Sequence, residues 1–178
     1  MQTLAIGSLT LEPQIAAHAD EMFVVLSDPA IYEYENEPPQ SAAGLRERFA
    51  ELESRRSPNG SEQWLNWVIR LPNNKLIGYV QATVYPIGRA AIAYELNSAY
   101  WGRGLARQAV QVMLGELIAR YGVKQFSAVL KQQNQRSFKL LQRLGFALAT
   151  PAEHLRAEVE RDEFLMLRQV EASERGAP

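Results

Sequence analysis

Tyr100-Trp101-Gly102-Arg103-Gly104-Leu105-Ala106 is the stretch that decides how the rest of this chain is read. It follows a strand-like run, Ala91 to Leu96, and precedes a long amphipathic helix pattern. Gly102 and Gly104 let the backbone turn tightly and come close to a ligand. The first N–H groups of the following helix have no partner inside it, and they point at that ligand with the positive end of the helix dipole behind them. The stretch therefore reads as a backbone cradle for phosphate. A dinucleotide fold needs G-x-G-x-x-G in its first βα turn and an acidic residue about 20 positions on. Here Arg107 stands in place of the third glycine, and the loop comes late, after a hairpin. A nucleotide-binding oxidoreductase fails on both counts. The triphosphate loop G-x-x-x-x-G-K-[ST] is absent.

A second pattern lies about thirty residues downstream. Asn134-Gln135-Arg136-Ser137 is followed by Leu140-Leu141 and by Arg143-Leu144-Gly145-Phe146, giving N-x-x-S-x-x-L-L-x-x-L-G-F. This resembles the second signature of the GNAT N-acetyltransferase superfamily. The first stretch resembles its acyl-coenzyme A loop, [QR]-x-x-G-x-[GA], with Gly104 and Ala106 at the last two fixed positions and Trp101 replacing Gln or Arg. The Tyr-Trp-Gly-x-Gly and Asn-x-x-Ser forms look like the branch that holds the ribosomal-protein N-terminal acetyltransferases (the RimJ/RimL type). The resemblance runs from about Ser8 to about Arg168. It includes Leu76-Ile77-Gly78-Tyr79 and Ile92-Ala93-Tyr94-Glu95-Leu96.

Composition bounds the alternatives. At 178 residues and 47% hydrophobic, the chain is long enough for one domain with a real core. A single acetyltransferase domain is expected over residues 1–170, with 171–178 as a disordered tail. Net charge is −1, from 19 basic and 20 acidic residues, which argues against broad nucleic-acid binding through phosphate neutralisation. The absence of cysteine excludes disulfides, thiolate metal sites and a cysteine acyl-enzyme. With His18 and His154 the only histidines, no metal site is expected. Residues 1–8 do not look like a secretory signal, and no apolar run approaches a membrane span. A cytoplasmic protein that does not enter membranes is the default expectation.

Periodicity and turn chemistry predict the elements. Leu9 to Leu11 reads as a first strand. Ile15, Ala19, Met22, Phe23 and Leu26 recur at helical spacing up to Asp28-Pro29. Ser41 is a candidate N-cap for a second helix with Ala42, Leu45, Phe49 and Leu52 on one face. Trp64 to Leu71 and Lys75 to Tyr85 form a hairpin around Pro72-Asn73-Asn74, and Ala90 to Leu96 follows. A helix from about Leu105 to Tyr121 stops at Gly122. Then come a strand at Gln125 to Leu130, a helix at Gln135 to Leu144, and strands at Phe146 to Leu148 and Phe164 to Leu167. The sum is an α/β GNAT-like fold, a mixed and mostly antiparallel sheet of about seven strands flanked by about four helices.

Acetyl transfer from a thioester to an amine needs an unprotonated amine, a donor for the carbonyl oxygen and help for the leaving thiolate. The resemblance implies that acetyl-coenzyme A, as co-substrate, binds through Trp101, Gly102, Arg103, Gly104, Leu105, Ala106 and Arg107. Its pantetheine arm would lie along Ala93 to Leu96. Asn134 would contact that arm, and it is equally a good N-cap for the helix that follows. Ser137 is the candidate to protonate or hydrogen-bond the thiolate, its other role being a solvent-facing residue of a first helical turn. The superfamily often carries a tyrosine seven residues after that Asn, but here the place is Leu141. Glu95 is the candidate general base, since a Glu inside an otherwise apolar strand needs a reason, the other reason being a face that looks onto solvent or a salt bridge. By alternation Ala93 and Glu95 face one way, and Tyr94 and Leu96 the other. Tyr32, Tyr34, Glu35, Glu37 and His154 lie in segments that frame the acceptor cleft in the family. The expected partners are acetyl-coenzyme A and an amine, either a peptide or protein N-terminus or a small amine such as an antibiotic or polyamine, with a homodimer left open. The alternative reading is a non-catalytic acyl-coenzyme A-binding sensor.

Overall fold

The computed structural model describes residues 1–34 and 36–174. A single eight-stranded sheet organises them, in the order β1-β2-β3-β4-β5-β6-β8-β7. The strands are β1 (Leu4–Ile6), β2 (Leu9–Pro13), β3 (Gln63–Arg70), β4 (Leu76–Tyr85), β5 (Arg89–Leu96), β6 (Gln125–Lys131), β7 (Ala147–Leu148) and β8 (Glu163–Gln169). Five α-helices pack on it: α1 (Ala19–Leu26), α2 (Ala42–Leu52), α3 (Leu105–Tyr121), α4 (Gln135–Arg143) and α5 (Pro151–Arg156). All pairings are antiparallel except β5 with β6.

The two faces of the sheet follow from strand alternation. Leu65, Trp67 and Ile69 of β3 share a face with Val80, Ala82 and Val84 of β4 and with Ala90, Ile92, Tyr94 and Leu96 of β5. α3 covers that face with Ala109, Val110, Met113, Leu114 and Leu117. On the other face Ala19, Met22, Val25 and Leu26 of α1 and Phe49 of α2 enclose Val68 and Leu76, with Tyr79 packed against them. Gly78 lets β4 lie tight on β5, since a Cβ there would sit 2.1 Å from the Glu95 carbonyl oxygen.

Three local expectations need correction. β1 pairs with β2 around a tight turn at Gly7; three residues are too few for periodicity to show. α5 is also additional. A Thr150–Glu153 capping box with Pro151 in the first turn starts it, but no buried residue marks it as a stripe. Ile15 is exposed and lies outside the first helix, which begins at Ala19 after a 3₁₀ turn at Ala16–His18. Residues 171–174 form a turn on the end of β8, with the Glu174 carboxylate paired to Arg168; the rest of the expected tail lies outside the described residues. Among the described residues no helix is long and apolar enough to cross a membrane.

Candidate active site

β5 and β6 begin as neighbours and then part. Their parallel pairing covers Arg89↔Gln125, Ala90↔Phe126 and Ala91↔Ser127 and goes no further. Beyond it β5 stays paired with β4 as far as Leu96↔Gly78, and β6 with β8 as far as Lys131↔Glu163. Each strand keeps its outer partner and loses its inner one. Alternate backbone N–H and C=O groups of Ile92 to Leu96 therefore face an open gap. A cavity of about 610 Å³ occupies this side of the molecule. It runs from Tyr94, Glu95 and Leu96 past the loop at Gly102 and Gly104 to α4. A smaller cavity of about 140 Å³ lies between Ile92–Glu95 and Ala128–Leu130 and shares Tyr94, Glu95, Asn134 and Ser137 with the larger one.

The loop is built as its glycines require. Gly102 has φ +73° and Gly104 has φ +75°, the left-handed region that glycine enters without a Cβ penalty. Gly104 is the residue from which α3 starts. Apart from the chain neighbours, no atom lies within 4 Å of where a Cβ would stand on either glycine, so the backbone is open to a ligand. Trp101 closes the inner end by donating its indole N–H to the Leu96 carbonyl at 2.8 Å.

α4 brings the polar residues in. Asn134 caps it, its Oδ1 accepting from the Ser137 N–H at 3.1 Å. That fixes Ser137 in the first turn, where its Oγ lies 2.6 Å from the Tyr94 hydroxyl across the gap. Burial pushes the Tyr94 phenol up to about 12, against a smaller downward pull from the Ser137 hydrogen bond. Arg136 stacks over the Trp101 ring at 3.8 Å from its centroid and pairs with Glu33 at 2.9 Å. It thus ties the glycine loop, α4 and the segment after α1 together.

The opposite face of β5 carries Glu95, directly across from Tyr79 on β4. The Tyr79 hydroxyl is hydrogen-bonded to the Glu95 side chain. Burial first, then that carboxylate's charge and the hydrogen bond, hold the phenol well above its ordinary pKa. Tyr32 stands nearby, donating its hydroxyl to the Leu26 carbonyl at 2.8 Å. Burial and the Glu95 and Asp28 charges push it up to about 12. One strand therefore presents a hydroxyl pair on one face and a carboxylate with phenols on the other, at the place where the sheet opens.

Residues 8–147 match the acetyltransferase (GNAT) domain family. The chain belongs to the GNAT acetyltransferase family. It is 26% identical over 148 residues to an uncharacterised N-acetyltransferase, p20, of Bacillus licheniformis, covering 82% of this chain and 83% of p20. Its fold is similar to that of a RimL ribosomal L7/L12 α-N-protein acetyltransferase solved with coenzyme A, with TM-score 0.78, 19% identity, and 96% and 99% of the two chains covered. It is likewise similar to a ribosomal-protein-S5-alanine acetyltransferase from Vibrio fischeri, with TM-score 0.76, 19% identity and coverage of 96% and 97%. The GNAT match makes the protein an acetyl-coenzyme A-dependent acetyltransferase, and the sensor reading gives way to an enzyme.

The larger cavity gathers most of the residues singled out in the sequence. Tyr34, Glu95, Leu96, Trp101, Gly102, Gly104, Leu105, Ala106, Arg107, Asn134 and Ser137 all line the larger cavity. Arg103 does not; its guanidinium lies over the Tyr100 ring, 5.6 Å from the centroid. His154 does not either, because α5 carries it to the β8 side, where its Nε2 meets the Glu163 carbonyl at 3.0 Å. Glu37 is exposed and outside both cavities, and Glu35 lies outside the described residues. Ser137 is part-buried, with its hydroxyl in contact with that of Tyr94.

Sequence reasoning missed Tyr94 and Tyr79 as polar partners, and a basic row on α4. Arg136, Lys139 and Arg143 all line the larger cavity. Their i, i+3, i+7 spacing was the readable signal, for it puts all three on one helix face.

Proposed function

We propose that this GNAT enzyme moves an acetyl group from acetyl-coenzyme A to a peptide or protein N-terminal α-amine, by direct attack in a ternary complex in the cytoplasm. The observation that carries the reading is the placement of Glu95 and the Tyr94–Ser137 hydroxyls on opposite faces of β5, both at the gap where β5 leaves β6. Thioester enters from one side and amine from the other, and the two meet at the strand.

In this reading the open backbone of Gly102 to Ala106 holds pyrophosphate oxygens through N–H groups at the start of α3. Arg107 and, from α4, Lys139 and Arg143 supply positive charge around the phosphates. Backbone N–H groups of β5 that have lost β6 as a partner hydrogen-bond the pantetheine arm and the acetyl carbonyl oxygen as it gains charge. Glu95 takes the proton from the attacking amine, directly or through one water. When the C–S bond breaks its electron pair stays on sulfur, and the Ser137 hydroxyl hydrogen-bonds the thiolate.

An α-amine suits this equipment. Its pKa lies near 7.7–8.0, against about 10.4 for a lysine side chain, so roughly a tenth of it is already free at neutral pH. The two structural neighbours, an L7/L12 α-N-protein acetyltransferase and an S5-alanine acetyltransferase, support the same choice. Thiol release should be at least about tenfold faster with an unblocked peptide than with the same peptide Nα-blocked and carrying one lysine. Equal rates with both, or a preference for a polyamine or an aminoglycoside, would reassign the acceptor.

Ser137→Ala is expected to lower kcat about tenfold or more with little change in melting temperature. The α4 cap survives, because Asn134 bonds the Ser137 backbone N–H and not its hydroxyl. Steady-state kinetics with a thermal melt separates the two effects. Retained kcat would leave the thiolate to water or backbone.

A further inference from the structure

We propose that Tyr94 is a positioning residue for thiolate departure: its hydroxyl donates to Ser137 Oγ and so aims the Ser137 O–H at the leaving sulfur. The proposal rests on the acetyl-transfer reading above and assigns a role to a side chain that neither signature marks.

Geometry carries it. The two oxygens are 2.6 Å apart, a short O–H···O contact. A serine hydroxyl has one proton to give and lone pairs to receive another. A Ser137 that accepts from Tyr94 keeps its own proton for a third group. Both partners are held. Ser137 is fixed by the Asn134 cap. Tyr94 stands on β5, which is clamped along its length by β4, and its ring packs against the main core. Both residues line the larger and the smaller cavity, so the third group has room to reach them. Leu141 lines the smaller cavity from α4 and offers no donor.

Either hydroxyl can donate across this contact, and the phenol is the better donor because it is the stronger acid of the two. With its phenol pushed up to about 12 by burial, Tyr94 stays protonated through the working range. A thiol titrates near 8.5, so full transfer of the Tyr94 proton to a thiolate is uphill by roughly three thousandfold. The pair therefore acts by hydrogen bonding. The sulfur leaves with its electron pair, Ser137 shares a proton with it, Tyr94 remains a neutral phenol, and the amine proton leaves through Glu95.

The test is a pH titration of the ultraviolet thiolate absorbance of coenzyme A bound to excess protein, which needs no acceptor. In wild type the bound thiol should titrate below its ordinary value of about 8.5. Tyr94→Phe should raise it by about half a unit or more, as should Ser137→Ala. The double variant should go no higher than Ser137→Ala alone, because Tyr94 acts through Ser137. Turnover of acetyl-coenzyme A with an alanine-initiated hexapeptide should show the same pattern in kcat, with KM for acetyl-coenzyme A within about twofold. Should Tyr94→Phe fold poorly, 3-fluorotyrosine at position 94 keeps the shape, makes a stronger donor and should lower the thiol value further. A wild-type titration in Tyr94→Phe, an insensitive fluorotyrosine protein or additive effects in the double variant would overturn the proposal. A lowered thiol value in a wild type that acetylates no amine would overturn the transfer reading instead, and leave this hydrogen-bond pair standing.

Discussion

Gly104→Val is expected to weaken acetyl-coenzyme A binding at least tenfold, about 1.4 kcal/mol, in a protein that still folds. Gly104 has φ +75° and ψ 2° at the start of α3. A side-chain-bearing residue pays about 1–2 kcal/mol for that conformation, and a β-branched one suffers most. Apart from its chain neighbours, no atom of the protein lies within 4 Å of the added Cβ, so crowding inside the fold is not the cause. The valine methyls instead enter the space through which the backbone must approach a phosphate, and the strain tilts the first free N–H groups of α3. The helix itself should persist, anchored by Val110, Met113, Leu114 and Leu117. Calorimetry on the folded variant decides the matter. Unchanged affinity would remove the glycine loop from the cofactor site.

Glu95→Gln is expected to lower kcat at neutral pH by about a hundredfold, the lower end of what a positioned general base contributes. Gln keeps the size, and its amide oxygen can still accept from Tyr79, so cross-strand packing should survive. The rate should recover partly as pH rises and more of the amine is free without help. The loss should be smaller for an α-amine than for a lysine-like acceptor, for the same reason. A second readout is independent of turnover. The Glu95 charge is one cause of the raised Tyr32 and Tyr79 phenols, so removing it should let both titrate at lower pH. Lowered phenols with an unaltered pH–rate profile would mean that Glu95 is charged and near but is not the base.

Much of this site was legible because its parts are local. The two glycines before an apolar helix, the Asn134 cap with Ser137 three residues on, and the turn between Leu71 and Lys75 each write their geometry into a few adjacent residues. Strand alternation also placed Tyr94 and Glu95 on opposite faces, as the β4–β5 register has them. What sequence could not give is non-local. No residue pattern says that β5 and β6 pair over only three positions and then part, yet that parting makes the cavity. The Tyr94–Ser137 contact joins residues 43 apart, and Tyr79 reaches Glu95 through pairing register. His154 and Arg103 lie outside the cavity for a different reason. Each sits in a suitable segment, but one is spent on the Glu163 carbonyl and the other over Tyr100.

The central claim is that this cavity serves acetyl transfer to an amine, and amine-dependent release of coenzyme A thiol tests it most directly. Purified protein with acetyl-coenzyme A and an alanine-initiated peptide should release thiol in step with the appearance of a peptide heavier by one acetyl group. Mass spectrometry should place that group on the α-nitrogen, and blocking the terminus should abolish both signals. Binding of acetyl-coenzyme A with no acetylated product from any peptide, polyamine or aminoglycoside would contradict the account.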